Sequence, residues 1–270
     1  MKALFDSDIL VYRIGFTTEE EDEAIVKWRL EDFIGRALDT LKTNEYQHYL
    51  TSTDKSNFRF KLFPEYKAHR IQPKPRHYEY IRCLLTEQWD AKIVYNQEAD
   101  DQLGIDQTGD TVICTIDKDL NQIPGWHFNF VTGQLVNIST LEAIRCFYEQ
   151  TLVGDKSTDN VEGCPRIGKV KAVKILEGCQ NENEMLEAVV DCYQGAYPEN
   201  EWADRLLLAG NLLWVRRKPD QSWELSSGDL VSKRTLESFS EQRGLDSSLS
   251  QEDTNSLFLS SLDIIPQTLK

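Results

Sequence analysis

The 270-residue sequence predicts an α/β fold, with a mostly parallel central sheet flanked by helices and a smaller helical part following it. Two observations carry this reading. Apolar runs of strand length recur five times in the first half of the chain, and segments with a helical apolar period lie between them. In order, the strands are KALF near residue 4, YQHYL near 48, AKIVY near 93, TVICTI near 113 and WHFNFV near 128. The helical patterns are AIVKWRLEDFIGRALDTLK over 24–42 and HYEYIRCLLTEQW over 77–89. After about residue 150 the strand signal fades, and short helices punctuated by Gly and Pro take over. The stretch EWADRLLLAGNLLWVRRK over 201–218 is again helical. From Ser226 onward Ser, Glu and Gln surround a short Leu257-Phe258-Leu259 segment, which reads as a weakly ordered tail. No internal repeat stands out.

Composition limits the function classes. Thirty basic residues against 45 acidic ones give a net charge of −15, which argues globally against a phosphate-binding surface. A protein that gathers carboxylates to hold cations also lowers its net charge, so distribution decides more than the sum. Six well-separated cysteines without a C-x-x-C pair, and no signal sequence, point to a reducing, cytoplasmic compartment. No apolar run is long enough to span a membrane.

The acids fall at strand ends. Asp6 closes the first strand; Asp54 follows the second; Glu98, Asp100 and Asp101 follow the third; Asp117 and Asp119 follow the fourth. In an open parallel sheet these ends share one edge, where ligands bind. Singly, each acid is better explained as a turn or helix-cap residue. Together they would raise one another's pKa unless cations neutralise them. All-oxygen, acidic ligation selects hard cations such as Mg²⁺ or Mn²⁺, and two such ions about 3.5–4 Å apart form a clamp for in-line hydrolysis of a phosphodiester.

Two further stretches suit nucleic acid. Between Lys55 and Arg82 eight basic residues (Lys55, Arg59, Lys61, Lys67, Arg70, Lys74, Arg76, Arg82) face two acids, with Phe and Tyr residues interleaved. A basic loop with its rings turned into the core accounts for some of these positions, but less well for FPEYKAHR, which presents Tyr66, Lys67 and Arg70 together. In GDKSTDNVEGCPRIGKVKAVKIL over 154–176, Asp155 and Asp159 precede a Gly163-Cys-Pro-Arg166-Ile-Gly168 turn and a helix start carrying Lys169 and Lys171. Such a turn brings backbone amides to phosphates and reads no bases.

The ordered series Asp6, TDKSNFRFKLFPEYKAHR, EADD, DKDL and GDKSTDNVEGCPRIG resembles the flap endonuclease and 5′→3′ exonuclease family of PIN-like metallonucleases, and stand-alone tailed-phage exonucleases most. The resemblance covers roughly residues 2–178. It implies a metallonuclease domain over 1–150 with a short helical arch at about 58–89, a helix-hairpin-helix DNA-binding subdomain over 151–195, and a C-terminal helical region and tail over 196–270. It implies Asp6, Asp54, Glu98 and Asp100 around a first metal and Asp117, Asp119, Asp155 and Asp159 around a second, with Asp101 as an extra acid. Lys67 and Arg70 match the cations that draw the scissile phosphate to the metals, with Asp6, Asp100 and Asp117 as the catalytic acids. Tyr66 matches a base-stacking residue. Arg59, Lys74, Arg76, Gly163, Arg166, Gly168, Lys169 and Lys171 are further DNA contacts, with a K⁺ ion at the hairpin. The implied substrate is duplex DNA with 5′ ends, nicks or flaps, and the short arch favours stepwise exonuclease action. The implied setting is phage-type replication or recombination in the cytoplasm of an infected or prophage-bearing cell, with a replication protein as partner for the tail.

Two rival readings remain. Asp6 and Asp8 form the D-x-D of a haloacid-dehalogenase-like phosphatase, and the same sheet occurs in RNA-cleaving PIN-like nucleases. Neither requires both the FPEYKAHR block and the Gly-Pro turn.

Overall fold

The computed structural model describes residues 1–225, so the serine-rich tail and its Leu257-Phe258-Leu259 segment lie outside the described residues. Strand β1 (Lys2–Asp6) runs directly into helix α1 (Ser7–Thr17), because Asp6 ends the strand and caps the helix, accepting from the Ile9 N–H. Helix α2 (Glu23–Leu41) starts on an Asp22 cap and stops at Lys42, whose φ of 53° is left-handed. Next come β2 (Tyr46–Thr51), α3 (Phe58–Leu62), α4 (Tyr78–Gln88), β3 (Lys92–Val94), α5 (Ala99–Asp106) and β4 (Thr111–Cys114). A 3₁₀ turn (Asp119–Gln122) leads into β5 (Gly125–Asn129) and β6 (Gln134–Ile138).

The six strands lie in the order β3-β2-β1-β4-β5-β6, parallel except for β6 at one edge. The five predicted strands are all present; β6 escaped because it is mostly exposed and shows no apolar alternation. Both faces of the parallel part are covered. Ala3, Phe5, Leu50, Val112 and Cys114 point to α1, α2 and α4, while Leu4, Tyr49 and Ile113 point to Ala99 and Leu103 of α5. Burying a side chain such as Phe5 or Leu50 contributes about 1.5–3 kcal/mol.

Residues 63–77 are not helical, so the predicted arch is two short helices joined by an extended, turn-rich segment. Pro64, Pro73 and Pro75 explain this, since each lacks the N–H a helix needs and disfavours α geometry in the residue before it.

The helical part comprises α6 (Thr140–Val153), α7 (Lys169–Leu176), α8 (Glu182–Ala196) and α9 (Trp202–Leu213), with a two-stranded ribbon of β7 (Gly154–Asp155) and β8 (Val161–Glu162). One core runs through it from Ile144 to Trp223, so α6 and α9 pack with the stretch expected to stand as 151–195. The ribbon allows no side chain at its crossing. A Cβ on Gly154 would collide with the Gly163 nitrogen, and one on Gly163 would collide with the Gly154 nitrogen. Among the described residues no helix is long and apolar enough to cross a membrane, and all six cysteines are free.

Candidate active site

Strand β2 lies on one side of β1 and β4 on the other, so the chain reverses direction between β1 and β4, and the crevice at their carboxyl ends is where an open α/β sheet binds ligands. A cleft of about 700 Å³ opens there, lined by Asp6, Asp8, Glu98, Asp100 and Asp117 together with Lys67, Arg70 and Lys74. Each group of acids arrives on a different element. Asp6 ends β1, Glu98 and Asp100 begin α5, and Asp117 follows β4.

The Thr115 hydroxyl donates to Asp6 Oδ2 at 2.8 Å, and the Gln150 amide donates to Asp119 Oδ1 at 2.5 Å. Sequence reasoning passed over both groups, because neither residue type marks a ligand. Asp155 lies close enough to Asp119 to raise its pKa, while its own carboxylate accepts from Ser157 and the Thr158 N–H. Asp159 accepts from the Tyr66 hydroxyl at 2.8 Å and from Arg70 at 2.8 Å.

The electrostatics record the crowding. Burial, then Asp8 and Asp117, push the Asp6 carboxyl up to about 7. Burial, then Asp117, Asp155 and Asp159, push Asp119 up to about 7. Asp100 is raised by burial and by Asp6, Asp117 and Glu98. Burial would raise Glu98 as well, but Lys67 and Arg59 overcome it and hold this carboxyl at about 2. Asp117 thus neighbours both the Asp6–Asp100 group and the Asp119–Asp155–Asp159 group.

A group whose folded pKa is raised stabilises the fold only while protonated. With chelator present, stability should therefore fall as pH climbs from 3.8 toward about 7, the interval over which Asp6 and Asp119 ionise in the unfolded but not the folded chain. A divalent cation should remove this slope. Thermal melts in EDTA and in Mg²⁺ at about pH 5 and about pH 8 check it; a melting temperature in EDTA that is level or rises with pH contradicts it.

The donor set is all carboxylate oxygen, which suits a hard divalent cation. Among the described residues, no three such groups yet converge on one ion-sized point. A bound cation would replace the mutual repulsion of these carboxylates with a shared attraction.

Five residues assigned to the site or to DNA from the sequence lie elsewhere in the structure. Asp54 is exposed on the loop after β2, its carboxylate accepting from the Ser56 N–H at 2.9 Å, and it does not line the cleft. Asp8 lines it instead, at the start of α1, held by the Thr51 N–H at 3.0 Å and by Arg82 at 3.4 Å. Asp101 is fully buried and faces away, paired with Arg59 at 2.6 and 3.0 Å. Arg59 is only 3% exposed and also donates to the Leu212 and Trp214 carbonyls, so it has no free edge for DNA. Tyr66 is 2% exposed, and its hydroxyl bridges Glu98 and Asp159, leaving no face for a base. Gly163 is buried against Gly154, where its role is close packing and not amide display.

Other assignments keep accessible positions. Lys67, with a left-handed φ of 58°, pairs with Glu98 and lies 3.9 Å from Asp159. Arg70 is half exposed. Lys74 sits 3.9 Å over the Tyr78 ring at the cleft wall, whereas Arg76 lies outside the cleft, its backbone N–H on Glu19. Arg166, Gly168, Lys169 and Lys171 form an exposed basic corner at the start of α7.

No family model matches the sequence. The DNA polymerase I of Bacillus caldotenax is 29% identical to the chain over 257 residues, covering 84% of it and 29% of the polymerase. A 5′-3′ exonuclease of Buchnera aphidicola subsp. Schizaphis graminum is 27% identical over 202 residues, covering 66% of the chain and 70% of that protein. In sequence the chain is similar to both proteins. It spans less than a third of the polymerase's length. Among solved structures, the flap endonuclease of bacteriophage T5, in a pseudo-enzyme–product complex with DNA and metal ions, superposes with a TM-score of 0.58 at 15% identity, covering 96% of this chain and 97% of that one. At that identity the likeness is one of fold, and the fold is the PIN-like α/β arrangement described above.

Proposed function

We propose that this protein hydrolyses phosphodiester bonds of DNA from the 5′ side with two divalent cations, Mg²⁺ or Mn²⁺. The observation that carries the reading is the assembly of Asp6, Glu98, Asp100 and Asp117 at one sheet edge, with Asp6 and Asp100 raised by their neighbours, beside Lys67 and Arg70. Asp6, Glu98 and Asp100 would hold one ion, and Asp117, Asp119, Asp155 and Asp159 the other. When bound, such ions lower the pKa of an attacking water and stabilise the leaving oxygen.

The chain's own groups do the positioning. Thr115 fixes the rotamer of Asp6, and Tyr66 ties Glu98 to Asp159. Lys67 and Arg70 place two cations where a scissile phosphate enters, and stabilise charge that grows in the transition state. Arg166, Gly168, Lys169 and Lys171 offer amides and cations to the backbone of the uncleaved duplex, with K⁺ as a candidate companion there. The non-helical 63–77 segment encloses little single strand, which favours stepwise removal from a 5′ end over threading of long flaps. The phosphatase reading needs Asp8 free to act as an acid, whereas Thr51 and Arg82 occupy it.

The test is cleavage in Mg²⁺ of 5′-recessed, blunt, nicked and flapped duplexes labelled at each end, beside matched RNA. Release of short products from the 5′ label is expected, and Lys67→Ala should slow single-turnover cleavage roughly a hundredfold. Release from the 3′ end, or preference for RNA, would overturn the reading.

A further inference from the structure

The acid-lined cleft does not end at the carboxylates. Its wall continues down α1 through Tyr12, Arg13, Phe16 and Thr17, and at 1.5 Å per residue this carries it about 15 Å from Asp6. Arg13 and Thr17 also line a second hollow of about 470 Å³ between α1 and α2, together with Trp28, Arg29, Asp32 and Arg36. The two hollows are therefore neighbours along α1, meeting at Arg13 and Thr17, and together make a track.

The chemistry of the track is unlike that of the chain as a whole. Three guanidiniums stand there against two carboxylates, Asp32 and Glu21, in a protein of net charge −15. Tyr12, Phe16 and Trp28 are 40%, 49% and 59% exposed. Core packing does not account for Trp28, because the buried stripe of α2 is already supplied by Val26, Leu30, Ile34 and Ala37. Arg13 stands 6.0 Å from the Phe33 ring and enters no ion pair among the described residues. Arg29 donates to the Thr17 carbonyl and lies 3.6 Å from Glu21, and Arg36 pairs with Asp32 at 2.5 Å. Exposed pairs of this kind hold weakly and exchange readily for phosphate. The acidic run over residues 19–23 repels phosphate and bounds the track at the α1–α2 turn.

We propose that this track binds single-stranded DNA, continuous with the strand in the acid cleft, with Arg13, Arg29 and Arg36 on its phosphates and Trp28 stacked on an unpaired base. Exposed rings interleaved with guanidiniums suit unpaired bases, because stacked base pairs hide their faces from side chains. The proposal rests on the reading that the cleft takes DNA, but its test does not require cleavage.

The test is fluorescence anisotropy of the intact chain with a single-stranded oligonucleotide, and with the same sequence as a blunt duplex, for the wild type, Trp28→Ala and Arg36→Glu. Both positions are at the surface, and circular dichroism reports folding. Affinity for the single strand should fall about tenfold in each variant, with duplex affinity unchanged, and the salt slope should shrink in Arg36→Glu. Equal single-strand affinity in all three proteins, or parallel losses on both DNAs, would overturn the proposal. A wild type that binds single strands through Trp28 but cuts nothing in Mg²⁺ would remove the nuclease reading and leave this one standing.

Discussion

Asp117→Asn is expected to lower single-turnover cleavage at least about a thousandfold while leaving DNA affinity within about threefold of wild type. Asp117 neighbours Asp6 and Asp100 on one side and Asp119 on the other, so its charge is shared by both acid groups. Removing it relieves repulsion, and the same variant should melt higher than wild type in EDTA, an exchange of function for stability. Asp54→Asn is the matched comparison. That carboxylate is exposed and bound to Ser56, so cleavage should be nearly unchanged. Metal-dependent cleavage surviving in Asp117→Asn, or lost in Asp54→Asn, would redraw the site around the β2 loop.

Arg59→Ala should be the most destabilising single change near the site. It would strip a fully buried Asp101 of its bidentate partner and leave the Leu212 and Trp214 carbonyls without their donor. Breaking a buried pair from one side costs about 3–5 kcal/mol, a large share of the stability of an ordinary domain, and lowers Tm by roughly 10 °C. Replacing both partners by apolar residues, Arg59→Met with Asp101→Leu, should recover part of the loss. Differential scanning calorimetry reads the order of the three melts, and anisotropy below the transition reads DNA affinity. Weaker DNA binding with an unchanged melt would restore Arg59 to the DNA surface.

The strands and the acids at their ends were legible because burial on both sheet faces forces continuous apolar runs, and a run ends visibly where a carboxylate begins. Asp8 was legible only as the second acid of the D-x-D rival and otherwise as a turn group, since it lies beyond the strand end, inside α1, and three-dimensional proximity to Thr51 brings it into the cleft. Two acids spaced i, i+2 across a strand-to-helix junction were the available signal. Arg59 and Tyr66 misled for the opposite reason. A stretch rich in cations and rings looks like a surface for nucleic acid, yet residues 58–66 are also where the chain seats itself on α9, so Tyr66 joins Val161, Ala209 and Leu212 in a small core. Linear composition does not separate a ring that meets a base from one that meets a leucine.

The buried Arg59 also bears on the order in which the molecule is made. Its donors reach the carbonyls of residues 212 and 214, and Asp101 accepts from the Arg216 N–H. During synthesis the floor beneath Glu98 and Asp100 therefore stays unfinished until residue 216 has left the ribosome, although all five parallel strands have emerged by residue 129. A nascent or prematurely terminated chain carries the acids without the brace that sets them.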